Sequence, residues 1–244
     1  MSADSSEPTL VLLPGLHGTH HLFQPLLDVI PPSVPTRVIS HPAHESCGYP
    51  ELLRRVEQQL EDESQVILFA ESFSGPIGLH FAIRHPQKVR ALVLCASFAA
   101  PPVPAVLCYL ATPLIWLRFP IPGLAIRTFL SGFRAPRELV RETRNVIRLL
   151  NPRVLAHRVR ETTRAQAKKE LAHCKVPILC LAATRDRLIG ARSLRRMRRI
   201  RPDMEVVTFD TSHLLLQMKP GEVWEAMLRF PAVGNWYNAA ASKL

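Results

Sequence analysis

Val66-Ile67-Leu68-Phe69-Ala70 runs without a break into Glu71-Ser72-Phe73-Ser74-Gly75. Five apolar residues in succession lack the alternation of a half-exposed strand. They suit a strand buried on both faces, as in a parallel sheet covered by helices. The residues after Gly75 switch to helical spacing (Ile77, Phe81, Ala82) and stop at His85-Pro86. Ser72 therefore sits between a strand and a helix, with small residues two before (Ala70) and two after (Ser74). That is the steric pattern of a strained elbow, which only small neighbours permit and which lifts the hydroxyl above the sheet. A serine in this position also suits plain helix N-capping, so its surroundings must decide.

Working outward, five further apolar runs read as strands: Thr9–Leu13, Arg37–Ser40, Ala91–Ala96, Pro177–Ala183 and Met204–Phe209. Helical patterns lie between them. Leu52, Leu53, Val56 and Leu60 form one, Leu188, Leu194, Met197 and Ile200 a second, and Val223, Trp224, Met227 and Leu228 a third. Alternating strands and helices predict right-handed βαβ units and a doubly wound, mostly parallel α/β sheet. From Ala99 to about Lys169 the alternation fails. Prolines 101, 102, 104, 113, 120 and 122 punctuate the first part. Leu139, Val140, Thr143, Val146, Ile147 and Leu150 then share a helix face that Asn151-Pro152 ends. The expected organisation is a core of residues 1–99 and 170–244, with 100–169 inserted as a helical cap over the carboxyl edge of the sheet, where ligands bind.

A serine hydroxyl needs a base to take its proton, and the base needs an acid to orient it. Asp186 lies just past the run 177–183 and His213 just past the run 204–209, so both are expected on the same sheet edge as Ser72. Asp186 would equally serve as a helix N-cap before Leu188. Asp210 is a reserve acid, although its nearness to His213 places it poorly. An oxyanion hole needs two backbone N–H groups. Phe73 would supply one and Leu16, in Pro14-Gly15-Leu16-His17-Gly18, the other.

With these residues assembled, the chain resembles a lid-bearing serine esterase of the α/β-hydrolase superfamily. Pro14-Gly15-Leu16 resembles the superfamily's oxyanion strip, although Pro14 replaces its usual histidine. Ser72, Asp186 and His213 match its triad in order and spacing, although both elbow glycines are substituted. Residues 212–220 resemble its final histidine loop and helix. The first strand here would be the superfamily's third, so its first hairpin is expected to be missing. The resemblance implies hydrolysis of short- to medium-chain carboxylic esters through an acyl-enzyme, without a cofactor. The alternatives kept open are an acyl-thioesterase or acyl-carrier methyl esterase, and a non-catalytic hydrolase fold that binds a ligand or partner.

Composition bounds the rest. The 244 residues are 47% hydrophobic and 21% charged, which excludes a disordered chain. The formal charge of +11 favours anionic partners. Eleven arginines, Lys168 and Lys169 stand against four glutamates between Pro101 and Glu170. They read either as a solvated helix face or as a dock for an acidic acyl carrier or an anionic substrate. The arginines at 192, 195, 196, 198, 199 and 201 lack the aromatic interleaving of a nucleic-acid surface, and no nucleic acid is expected. His17, His20, His21, His41 and His44 have no carboxylate or thiolate at ligand spacing, and no metal is expected. His17 is expected to hydrogen-bond beside the oxyanion strip. Val106, Leu107, Leu110, Leu114, Ile115, Trp116, Leu117 and Phe119 are expected to line an acyl pocket or to pack onto the cap's own core. The stretch 103–117 is too short and too interrupted to span a membrane. Five cysteines without a CxxC and the lack of a secretory pattern at residues 1–8 suggest a cytoplasmic protein. Ser242-Lys243-Leu244 raises a peroxisomal alternative.

Overall fold

In the computed structural model, which describes residues 8–117 and 123–241, six strands form one sheet. They are β1 (Thr9–Leu13), β2 (Thr36–Val38), β3 (Val66–Glu71), β4 (Val89–Cys95), β5 (Ile178–Ala183) and β6 (Glu205–Phe209). Their order is β2-β1-β3-β4-β5-β6 and every pairing is parallel. Residues 1–7, ahead of β1, lie outside the described residues. Twelve α-helical segments follow in chain order: α1 (Gln24–Leu27), α2 (Tyr49–Gln59), α3 (Gly75–Arg84), α4 (Ala105–Trp116), α5 (Gly123–Ile126), α6 (Arg137–Leu149), α7 (Pro152–Glu161), α8 (Lys168–His173), α9 (Gly190–Ile200), α10 (Leu215–Met218), α11 (Pro220–Arg229) and α12 (Pro231–Ala241).

The uninterrupted apolar strands are explained by helices on both faces. Val66, Leu68 and Ala70 of β3 pack into one core with Leu52 and Val56 of α2, Ile77 of α3 and Met197 of α9. Ile67 and Phe69 point the other way, into a core with Leu26 of α1 and Val223 and Trp224 of α11. Polar residues have no face left to occupy, so alternation disappears. The five cysteines are free and buried. No helix among the described residues is long and apolar enough to cross a membrane.

Several boundaries differ from the sequence reading. β2 ends at Val38 rather than Ser40, and Leu188 lies in a loop before α9, which begins only at Gly190 with φ +65°. Asn151-Pro152 does end α6, but it also starts α7, with the Asn151 side chain accepting from the Arg153 N–H at 2.9 Å. α12 carries no strong apolar period and was not anticipated. Between β4 and β5 the described residues hold helices and no strand. There α4 departs most from expectation: Val106, Leu107, Leu110, Leu114, Trp116 and Leu117 are each more than half exposed, and Cys108 is its one buried residue. A helix that is apolar on every side exceeds what one neighbour, α7, can cover. Core packing therefore does not hold for these residues. Phe119 and Ser242–Leu244 lie outside the described residues.

Candidate active site

The turn from β3 into α3 holds Ser72 at φ +46°. A non-glycine residue in the left-handed region costs about 1–3 kcal/mol and persists only where its surroundings over-determine it. Here Ser97 Oγ donates to the Ser72 carbonyl at 2.6 Å. The helix that follows is brought in tightly: a Cβ on Gly75 would stand 1.8 Å from Ser97 Oγ, and one on Gly78 would stand 2.9 Å from Ala70 Cβ. The substituted elbow positions thus keep their steric role. Ser74 adds a tie, since its hydroxyl donates to the Pro14 carbonyl at 2.5 Å and lies 2.9 Å from His41 Nε2. With the Ser74 proton committed to Pro14, His41 Nε2–H is the donor.

The carboxyl ends of β5 and β6 bring the other two groups to this edge. Ser72 Oγ lies 3.0 Å from His213 Nε2, and His213 Nδ1 lies 2.8 Å from Asp186 Oδ2. Asp186 Oδ1 also accepts the Leu188 and Ile189 N–H groups, both at 2.8 Å. The two oxygens of Asp186 are thus divided: one caps the approach to α9 and the other faces the imidazole. Burial alone would lower the His213 pKa, but the Asp186 charge and hydrogen bond, with the Glu71 charge, raise it above the ordinary value. Burial would raise that of Asp186, and the same pairing plus two backbone donors hold it below the usual range. Asp210, the reserve acid, is exposed and paired with Arg185 at 3.1 Å.

Behind the serine lies a buried polar network of whose side chains the sequence reading singles out only His17. Glu71 Oε2 accepts the Gly15 N–H at 3.0 Å and lies 3.2 Å from His17 Nε2, while Oε1 accepts from Gln217 Nε2 at 3.1 Å. Burial would raise the Glu71 pKa, yet the His17, Gln217 and Gly15 contacts keep it lowered. Gly15 N–H is thus spent on Glu71, whereas Leu16 N–H finds no partner among the described residues. Arg158 of α7, only 1% exposed, donates to the Leu16 carbonyl at 2.9 Å and the Pro42 carbonyl at 2.7 Å. Gly18, at φ +73°, has no room for a Cβ, which would meet Arg158 Nη1 at 2.3 Å. Burial lowers the Arg158 pKa to about 10. The signal for Glu71 was present in the sequence: a charged residue ending a buried apolar strand must be paired.

The histidines do not gather. His17 faces Glu71, His41 faces Ser74, and His20 packs at a tilt against His21. Among the described residues, the grouping with metal-ligand spacing is Glu45, Cys47 and Glu51. Arg55 Nη2 already donates to both of those carboxylates.

The chain has relatives both in sequence and in structure. The family model for serine aminopeptidase, S33, matches residues 49–215, more than half of the chain. Pimeloyl-[acyl-carrier protein] methyl ester esterase of Neisseria meningitidis serogroup C is 29% identical over 94 residues, covering 36% of each protein. The match thus spans about a third of that relative's length. A hydrolase from Pseudomonas aeruginosa PA01 superposes with a TM-score of 0.78 at 19% identity, covering 94% of this chain and 91% of the other. The enol-lactonase of Burkholderia xenovorans LB400 gives 0.79 at 16% identity, covering 94% and 93%. These two share the fold. The chain belongs to the serine aminopeptidase S33 family of α/β-hydrolases and is a hydrolase.

Proposed function

We propose that the protein is a serine carboxylesterase that cleaves short- to medium-chain esters through an acyl-enzyme, with Ser72 as nucleophile, His213 as base and then acid, and Asp186 as the group that orients the imidazole. The observation carrying this reading is the continuous chain Ser72 Oγ, His213 Nε2, His213 Nδ1, Asp186 Oδ2, closed by contacts of 3.0 and 2.8 Å. Asp186 fixes the tautomer with the proton on Nδ1, which leaves Nε2 free to take the serine proton as Oγ attacks the ester carbonyl. The negative charge that develops on the carbonyl oxygen is received by Leu16 N–H and Phe73 N–H, a pair of donors of which each is worth ~3 kcal/mol. Collapse expels the alcohol, protonated by His213, and water then repeats the sequence to release the acid. Glu71 and Arg158 act through the loop: one holds Gly15 and the other the Leu16 carbonyl, so that the free N–H keeps its direction. Residues 100–169 serve as a cap over this edge.

A second reading is favoured by the basic cap and by the partial likeness to carrier-protein methyl ester esterases. The same groups would then act on an acyl thioester or on the methyl ester of a carrier-bound acyl chain. Turnover of a p-nitrophenyl ester, an acyl-CoA and an acyl-carrier methyl ester, compared at two salt concentrations, tests both. Preference for the carrier substrate that vanishes with salt supports the second. Equal rates with salt-insensitive turnover support the first. Failure on all three, together with resistance to an organophosphonate, would leave the fold a non-catalytic binder.

A further inference from the structure

Beside the histidine loop lies a concavity of about 170 Å³, set between the cap and the core. Four arginines are among the residues that line it, Arg127 and Arg134 from the segment after α5, and Arg185 and Arg187 from the loop that bears Asp186. Two of them are engaged. Arg127 donates to the Phe133 and Ala135 carbonyls at 3.2 and 3.0 Å, and Arg185 pairs with Asp210 at 3.1 Å. Arg134 and Arg187 are exposed and have no partner among the described residues. Asp210 thus balances only one of four positive charges.

Ser212, adjacent to His213 in the chain, is 8% exposed, and its hydroxyl has no hydrogen-bond partner among the described residues. A buried hydroxyl left unpaired is costly. Gly132 lies against it at φ +74°, where a Cβ would stand 3.2 Å from Ser212 Cβ and 3.4 Å from its hydroxyl oxygen, so the cap backbone packs on this serine. Guanidinium forks match the oxygens of a phosphate or carboxylate, and an anion supplies the acceptor that Ser212 O–H lacks.

We propose that this cavity is an anion subsite, and that it holds a phosphate or carboxylate group carried by the substrate itself. The inference rests on the esterase reading for its second half, because Ser212 of the lining directly precedes His213 in the chain. It narrows the substrate class to esters with an anionic group a short reach from the reacting carbonyl. Arg134 and Arg187 supply the charge, and Ser212 supplies the short-range donor.

Two measurements test it separately. Calorimetric titration of the full chain with inorganic phosphate reads the subsite without catalysis. Binding that weakens by about tenfold or more in Arg134→Gln/Arg187→Gln, and also weakens in Ser212→Ala, supports it. No binding to the wild type, or equal binding by the double variant, overturns it. The second measurement is the ratio of kcat/KM for an anionic ester over its neutral counterpart. Methyl hydrogen glutarate against methyl valerate tests an anion on the acyl half, and monobutyrin phosphate against monobutyrin tests one on the alcohol half. A ratio that falls about tenfold in the double variant for either pair supports a substrate anion. Ratios unchanged for both pairs, with phosphate binding intact in the wild type, overturn the substrate half and assign the cavity to a free anion. Absence of turnover by the wild type on every ester would instead overturn the esterase reading, and the titration would still decide the subsite.

Discussion

Gln217 Nε2 donates to Glu71 Oε1 at 3.1 Å, joining the helix after His213 to the residue before Ser72. The segments that bear Ser72 and His213, 141 positions apart in the chain, therefore meet twice: once at the serine and imidazole and once behind them. The rear contact fixes the direction in which the front one points.

Glu71→Gln is expected to disturb this arrangement without removing a reacting group. A glutamine keeps the volume but cannot accept from Gly15, His17 and Gln217 together, so at least one buried donor is left unpaired, at about 1–3 kcal/mol. Urea denaturation should show that loss. Kinetics should show kcat falling more than KM rises, because the Gly15–Leu16 strip loses its anchor. Unchanged stability and an unchanged kcat would contradict the role given to Glu71.

Asp186→Asn separates orientation from folding. The amide oxygen can still cap Leu188 and Ile189, so the protein should remain folded by circular dichroism. The imidazole, however, loses the carboxylate that fixes its tautomer, and kcat should fall by about 10⁴-fold. The pH profile carries a second signature. His213 must be neutral to act as base, so in the wild type activity rises with pH through a value above its ordinary 6.5. Without the carboxylate that limb should move to lower pH.

How much of this was legible in the sequence follows from where the information lies. β3 and the elbow could be read because burial on both faces leaves only apolar residues, and because sterics confine the turn to small ones. Ser72, Asp186 and His213 could be placed on one edge because parallel strands end on the same side. Glu71, Arg158, His41 and Gln217 could not be combined in that way. Their partners are 33 to 195 positions away, and nothing in the local pattern names them. The exposure of α4 escaped for a related reason: an apolar segment records that burial is favourable, and not how many neighbours the fold provides.

His41 gives a test of stability rather than rate. Burial first, then the charges of Arg158 and His17, depress its pKa to about 3. Between pH 6.5 and 3 the unfolded chain therefore binds one more proton here than the folded one. Stability should fall as pH drops through this window, by up to about 1.4 kcal/mol per pH unit from this group. His41→Gln should flatten that part of a denaturation–pH curve. An equal slope in both proteins would show that His41 is not held neutral.

Gly75→Ala probes the packing behind the elbow. The added methyl would overlap Ser97 Oγ, the hydroxyl that holds the Ser72 carbonyl. Overpacking of this kind costs about 1–3 kcal/mol or more, and thermal unfolding should report it. Wild-type stability and activity would contradict so close an approach.

The most direct measurement is covalent. After reaction with a fluorophosphonate, proteolysis and peptide mass mapping should find one modified residue, Ser72, and no label in Ser72→Ala or His213→Ala. Label on Ser74 or any other residue, or an active Ser72→Ala protein, would contradict the account.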